Sequence, residues 1–513
     1  MDNDTSTTQA EIRVARNSVY GIVRLVMTTP LLFVLVPYML RNLGPERYGV
    51  WALVGTLWAL VHLGDLGLST TVTKFVAALS SNDDTERINK VVTIAFITNA
   101  LIGTTVFIAL LGLRRIIVIY GFAIPIELVH EAEFIVVAAG LVFGLRLVFG
   151  TFLALLDGLQ RMGVTNSLIV LSIVLEAVGT YAVLELNYGL RGLILKNGIT
   201  AMGVGICSLV VAKKCLPSLG LAFRSVHKED LRNMFGYSLR IQTVHILSFA
   251  VDPFNKVLLS NVLSVAYVSY YEVASRIAQQ FRSFFLAGMA PILPAASKLH
   301  ASGGNSAGAL ELYYRFTRYV ILLALPFSII AMAFARPFVR LWLGEGYNLV
   351  GLTLQIILGA WGLSILATPA AQVLLALGLP HLAVRIQVIT GLANVLCSFT
   401  LIHGVGYIGV PFGTLIALAA GAGYTLYALH RATAEPIRNA TRFLTPSVIV
   451  ANLGAAVLAL IVVRMVEPSG WLSLLLAAAS CFLLYFLIAL RLGCITDEDW
   501  EFTRRLLSES PVH

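Results

Sequence analysis

Long apolar runs recur from one end of this 513-residue chain to the other, with only short polar gaps between them. Leu31 to Leu40, Val204 to Ala212 and Trp471 to Leu490 are three examples. A segment of about 20 such residues crosses the hydrocarbon of a bilayer as a helix, and a chain built almost entirely of them leaves little length for a water-soluble domain. Composition agrees, with 58% apolar and 12% charged residues and a mean hydropathy of +0.85, against about 25% charge in soluble domains. Disordered and fibrous chains and most soluble enzymes are excluded. The expectation is an all-α polytopic membrane protein.

Helix-length apolar segments fall at 17–39, 49–71, 90–112, 132–156, 165–186, 189–212, 236–260, 264–292, 316–335, 350–376, 380–402, 406–429, 443–464 and 470–490, which makes 14 transmembrane helices. Barrel strands are excluded because the runs are too long and too continuously apolar. Pro30, Pro37, Pro253, Pro291, Pro294, Pro326 and Pro369 lie inside spans and predict kinks. With both termini in the cytosol, the inner segments carry 19 Lys and Arg residues and the outer segments 7. This is the asymmetry of the positive-inside rule, so the net charge of +9 reads as topology and not as a nucleic-acid footprint. Met1 to Arg16 is expected to be an uncleaved cytosolic tail. The 5 cysteines lie far apart without CxxC spacing, and the 9 histidines show no metal-ligand pattern.

Sliding the chain by 220 residues superimposes Leu155-Leu156-Asp157-Gly158-Leu159 on Leu375-Ala376-Leu377-Gly378-Leu379 and Gly189 on Gly409. The same offset lays Leu43 and Gly49-Val50-Trp51 on Leu263 and Ser269-Tyr270-Tyr271, and Leu79 on Leu299, without gaps. Six spans per copy is an even number, so both copies enter the membrane in the same orientation. Two parallel six-helix lobes related by a pseudo-two-fold axis along the membrane normal are expected. The N-lobe is residues 1–220, the C-lobe 221–440, and 441–513 holds two extra helices and a cytosolic tail.

Three stretches then carry a family likeness: Arg41-Asn-Leu-Gly-Pro-Glu-Arg-Tyr-Gly-Val-Trp51, Leu63-Gly-Asp-Leu-Gly-Leu68 and Phe75-Val-Ala-Ala-Leu79. The chain resembles the polysaccharide transporter, or O-antigen flippase, family of the multidrug, oligosaccharidyl-lipid and polysaccharide exporter superfamily. The resemblance implies alternating-access translocation of an undecaprenyl-diphosphate-linked oligosaccharide across the bacterial inner membrane, for cell-surface polysaccharide biosynthesis. It implies no enzymatic chemistry and no cofactor. The expected partners are the lipid-linked glycan, the bilayer, a polysaccharide polymerase and a chain-length regulator, with no nucleic acid.

A charge near the bilayer centre costs at least about 2.5–3.5 kcal/mol on insertion scales, so the charges inside spans are the site candidates. Arg240, Lys256 and Arg385 lie close to span ends, where snorkelling explains them. Arg24, Asp65, Arg146, Glu176, Lys196, Asp252, Glu272, Arg276 and Arg282 lie deeper. Arg24 and Arg276 are the first candidates for the diphosphate head group, followed by Arg282, Arg146 and Lys196, because a guanidinium fork suits a phosphate. The resemblance places the hairpins carrying Arg24, Asp65, Arg276 and Arg282 around a central cavity. Asp65, Glu272 and Asp252 are candidates for cation coupling. Structural readings stand beside these: Glu272 with Arg276, and Asp252 with Lys256, are at helical spacing for neutralised pairs, Glu176 is placed to pair with Arg146, and Asp65 to accept from a hydroxyl or backbone group.

Two further readings stay open, a cation-coupled drug or lipid II exporter of the same superfamily and a membrane polymerase or ligase acting on lipid-linked glycans. Buried arginines would repel drug cations, and the longest outer segment, Leu113 to Glu131, is short for a catalytic loop. Gly404-Val-Gly-Tyr-Ile-Gly409 matches a dinucleotide fingerprint but lacks a βαβ context. Gly140 and Gly144 are read as helix packing. Tyr48, Trp51 and Trp342 are read as interfacial anchors, and Tyr270 and Tyr271 as rings for stacking on sugars.

Overall fold

The computed structural model describes residues 30–31, 33–57, 64–65, 67–80, 84–220, 251–289, 292–293, 296–297, 307–436, 439, 445–466 and 468–494. Among the described residues the regular structure is entirely helical. The chain divides into two compact units, Met1–Ser269 and Tyr270–His513.

In the first unit, α1 covers helical residues 33–57 and α2 is Leu68–Ser80. α3 (Thr85–Ile116) runs into a π turn at Ile117–Gly121, and α4 (Val129–Gly158) returns. α5 (Met162–Glu185), α6 (Gly189–Cys215) and α7 (Val251–Val262) complete the unit. The segment 40–48, expected as an outer loop, is helical, with a single left-handed residue at Gly44 (φ 74°). α8 (Val265–Met289) starts in the first unit and runs into the second, where it is followed by α9 (Ala307–Tyr319), a π turn at Val320–Ala324 and α10 (Leu325–Leu343). α11 (Asn348–Leu366) and α12 (Thr368–Ala376) form one broken span, α13 (Pro380–Val405) and α14 (Gly409–Ala432) a hairpin, and α15 (Pro446–Val466) and α16 (Trp471–Arg491) a final pair. Nine helical segments among the described residues are long and apolar enough to cross a membrane. One of them, Pro380–Ala432, contains both α13 and α14.

In lipid there is no aqueous phase to drive apolar surfaces together, so close approach of small residues holds these helices. A Cβ on Gly103 would lie 2.6 Å from the Gly144 Cα, and one on Gly140 3.3 Å from the Phe107 Cα, so the GxxxG of α4 packs against α3. α15 presents Ala451, Ala455 and Ala459, all fully buried, at every fourth position, while its Leu453, Val457 and Leu460 point outward as lipid-facing groups. Prolines act as expected at two sites. Pro369 sits where α11 ends and α12 begins, and Pro326 follows the π turn, since the missing N–H and the ring break the ordinary ladder.

Each π turn leaves a carbonyl that another helix satisfies. The Tyr485 hydroxyl on α16 donates to the Leu322 carbonyl at 3.0 Å, docking the final pair on α9 and α10. The amide of Asn261 on α7 donates to the Gly121 carbonyl at 2.7 Å, and the Ser260 hydroxyl donates to Phe122. These bonds explain why compactness groups α7 with the first unit, beyond the repeat boundary at 220.

The sequence repeat does not keep one offset in three dimensions. α4 ends at a left-handed Gln160 (φ 61°), with Arg161 N–H bonded to the Leu156 carbonyl; α12 ends at left-handed Gly378 (φ 74°), with Leu379 N–H bonded to Leu374. These are the same helix-ending motif. Matching Gln160 to Gly378 changes the offset by two residues from the gap-free alignment. Gly158 has a different role from Gly378, because a Cβ there would lie 2.6 Å from the Val76 side chain.

Candidate functional site

The deep charges fall into four groups. In the first unit, Arg146 on α4 and Glu176 on α5 lie near the middle of their helices and form an ion pair at 2.6 Å. Lys196 on α6 joins them from the other side: its ammonium donates to the Glu176 backbone carbonyl at 3.2 Å and to the Thr180 hydroxyl at 3.0 Å. Gly179 makes this crossing feasible, since a Cβ at 179 would sit 2.7 Å from the Lys196 stem. The sequence candidates Arg146 and Lys196 are thus brought together at one residue, Glu176, Arg146 on its carboxylate and Lys196 on its backbone carbonyl, leaving a net charge of about +1 on three adjacent helices. Such a charge is tolerable in a bilayer only beside acceptors or water.

The second group is on α7. Asp252 and Lys256 are paired at 2.5 Å, with the lysine 8% and the aspartate 50% exposed. Lys256 is therefore buried within the protein, which corrects the snorkelling expectation: its ammonium lies against the Asp252 carboxylate, which neutralises it. The third group reverses that arrangement. On α8, Glu272 is buried and paired with Arg276, whose side chain is 44% exposed.

The fourth group holds a cation without an acid. Arg282, also on α8 and half-buried, places its guanidinium carbon 4.2 Å from the centre of the Trp361 ring on α11. α11 is fixed against α10 by close contacts at Gly351, Gly359 and Gly362, where an added Cβ would meet Arg336, Met332 and Ser328 at 3.1–3.2 Å. The Gln355 amide also donates to the Met332 carbonyl at 2.9 Å. Trp361 was not singled out in the sequence. Its signal was position, since it lies mid-span, whereas tryptophans that anchor at the interface lie at span ends.

Asp65 precedes α2 and accepts from the Ser69 backbone N–H at 3.2 Å and the Ser69 hydroxyl at 2.8 Å. This is the arrangement of a helix cap, which also places the negative charge at the favourable end of the helix dipole. Arg24 and Arg240 lie outside the described residues. Tyr48, Trp342 and Tyr271 are 1%, 6% and 2% exposed. Tyr48 and Trp342 are packed inside protein, which corrects their reading as interfacial anchors, and Tyr271 has no face left for a sugar. Tyr270 meets the edge of Tyr347 at 6.2 Å. The Gly404–Gly409 fingerprint is the turn of the α13–α14 hairpin, with Gly406 left-handed (φ 66°).

The family motif also acquires a physical reason. A Cβ on Gly49 would lie 2.0 Å from the Val265 carbonyl oxygen, so the motif glycine is where α1 meets the chain after α7 at backbone distance. Leu43 and Val50 of the same motif are buried beside it.

Comparison with known proteins places this architecture. An inward-facing multidrug resistance MATE family transporter of the MOP superfamily superimposes with a TM-score of 0.67 at 17% identity, covering 82% of this chain and 99% of that one. The lipid II flippase MurJ in an inward closed conformation superimposes with a TM-score of 0.71 at 14% identity, covering 93% and 99%. At these identities the likeness is one of fold. No curated protein matches the sequence. Residues 38–350 match the family described as polysaccharide biosynthesis protein, and with more than half its length in that match the chain belongs to this family, as a multi-pass helical membrane protein with the fold of MATE transporters and MurJ.

Proposed function

We propose that the protein is a flippase that moves undecaprenyl-diphosphate-linked oligosaccharide from the cytosolic to the outer leaflet of the bacterial inner membrane by alternating access, with both termini cytosolic. The observation that carries this reading is Arg282, a half-buried guanidinium on α8 stacked on a tryptophan, with no carboxylate partner among the described residues. A scaffold without a ligand gains nothing from a half-buried cation that no acid neutralises, and a transporter of drug cations would be opposed by it. A diphosphate supplies the missing negative charge and the acceptors for the guanidinium fork. In this reading Arg276, Arg282 and Arg24 contact the head group, Arg146 and Lys196 extend the positive path, and Asp65, Glu272 and Asp252 are the carboxylates available for coupling. The lobes of residues 1–220 and 221–440 rock about the site, and the hairpin in 441–513 is an addition to them. A polysaccharide polymerase and chain-length regulator would act on the delivered units.

The test is leaflet-resolved analysis of undecaprenyl-diphosphate glycans in cells lacking the protein, complemented with the intact chain or with Arg24→Ala, Arg276→Ala or Arg282→Ala. Glycan accumulating on the cytosolic leaflet, cleared by the intact chain and not by Arg282→Ala, is the expected result. Complete repeat units already on the outer leaflet but unpolymerised would overturn the flippase and point to a polymerase or ligase.

A further inference from the structure

We infer that Trp361 is the positioning residue of the head-group site: it holds Arg282 charged and oriented through the face of the guanidinium, which leaves the N–H edge for a diphosphate. The inference rests on the head-group reading above and adds the device that makes it work.

A guanidinium has two faces without donors and an in-plane edge carrying five N–H groups. A carboxylate partner takes up part of that edge. Arg146 spends donors on Glu176 at 2.6 Å, and Arg276 spends its Nε on Glu272. An aromatic ring attracts the cation through the face and takes no donor. Arg282 is in this second situation, with its guanidinium carbon 4.2 Å from the Trp361 ring centre and no hydrogen bond or ion pair found for it among the described residues. Stacking offsets part of the cost of a half-buried charge while keeping the fork open for an anion.

The ring itself is held rigidly. Gly359 and Gly362 on either side of it press α11 onto Met332 and Ser328 of α10. On α8, Phe281 stacks on Phe327 of α10 and Phe285 meets the same ring edge-on, with centroids 5.6 and 5.7 Å away. Both helices bearing the pair are thus keyed to the same third helix, and the guanidinium is ordered before any ligand arrives. A preorganised group loses less entropy on binding.

The experiment measures undecaprenyl diphosphate binding to the full chain in neutral-lipid nanodiscs, with undecaprenol as the uncharged control. Residue 361 is replaced by tryptophan carrying one, two or three fluorines, which drains the ring face of negative potential without changing its shape. Affinity is expected to weaken stepwise, to about five- to tenfold overall, consistent with an exposed-to-desolvated cation–π contact. In an Arg282→Gln background the series should be flat. Trp361→Phe should fall between wild type and the trifluoro form. A merely structural ring would give a flat series with Arg282 present, and that result overturns the inference while leaving the head-group reading standing. If the unmodified protein binds undecaprenyl diphosphate no better than undecaprenol, the head-group reading itself fails and the inference with it.

Discussion

The α4–α6 cluster of the first unit and the α8–α11 pair of the second solve one problem in opposite ways. In the first, Arg146 and Lys196 converge on Glu176 and Thr180, and their donors are directed into protein acceptors. In the second, Arg282 rests on a ring and makes no described hydrogen bond. A cation held by acceptors is stabilised but largely occupied. A cation held by a π face is less stabilised and still able to bind. Helix α8 carries both solutions, with Arg276 on Glu272 and Arg282 on Trp361 six residues apart, or about 120° around the helix.

Truncating the two α8 arginines should break this comparison most sharply. Arg276→Leu takes from Glu272, a carboxylate only 7% exposed, its arginine; removing one partner of a buried ion pair costs about 3 kcal/mol. Thermal unfolding in nanodiscs should show a clear fall in midpoint, partly restored by adding Glu272→Gln. Arg282→Leu strands no acid and removes a half-buried cation, so its midpoint should hold or rise while the proposed glycan translocation is lost. Equal destabilisation by the two variants would mean that Arg282 has a structural partner and that the contrast is wrong.

Arg146→Leu should have a smaller effect. The Glu176 side chain that it leaves is 36% exposed, against 7% for Glu272, and the Lys196 ammonium stays hydrogen-bonded to that same residue. The same unfolding measurement checks it, and a loss as large as that of Arg276→Leu would show the first-unit cluster to be the more deeply desolvated of the two.

How much of this was legible in the sequence depended on the range of the interaction. Helix identity and most span limits follow from hydrocarbon thickness and hydropathy, both local properties, and α15 and α16 lie within a few residues of the expected 443–464 and 470–490. Asp252 with Lys256 and Glu272 with Arg276 were legible because four residues make one helix turn. The partner of Arg282 was not, since Trp361 is brought to it by the glycine contacts that set α11 against α10. The gap-free repeat misled at Gly158 for a related reason. Sequence aligned two glycines, while the helix-ending residue in the first copy is Gln160, a type that rarely adopts positive φ and gives no signal of doing so.

The smallest expected effect sharpens the contrast from the side of Lys196. Its stem lies across Gly179, and a methyl group there would stand 2.7 Å from the Lys196 Cγ and Cδ. Both atoms belong to a flexible chain, so Gly179→Ala should let the stem swing aside; the helix-propensity gain of about 1 kcal/mol for alanine over glycine offsets the hydrogen bonds lost, leaving a net change of no more than about 0.5 kcal/mol. The ammonium, however, reaches the Glu176 carbonyl and the Thr180 hydroxyl only along that path. Displaced from it, Lys196 becomes a cation with open donors, closer in kind to Arg282. Modification of Lys196 by a small membrane-permeant amine reagent should rise severalfold in Gly179→Ala with the unfolding midpoint almost unchanged. Unchanged modification would mean that the lysine is held by acceptor strength alone, and that the glycine serves only the approach of α5 and α6.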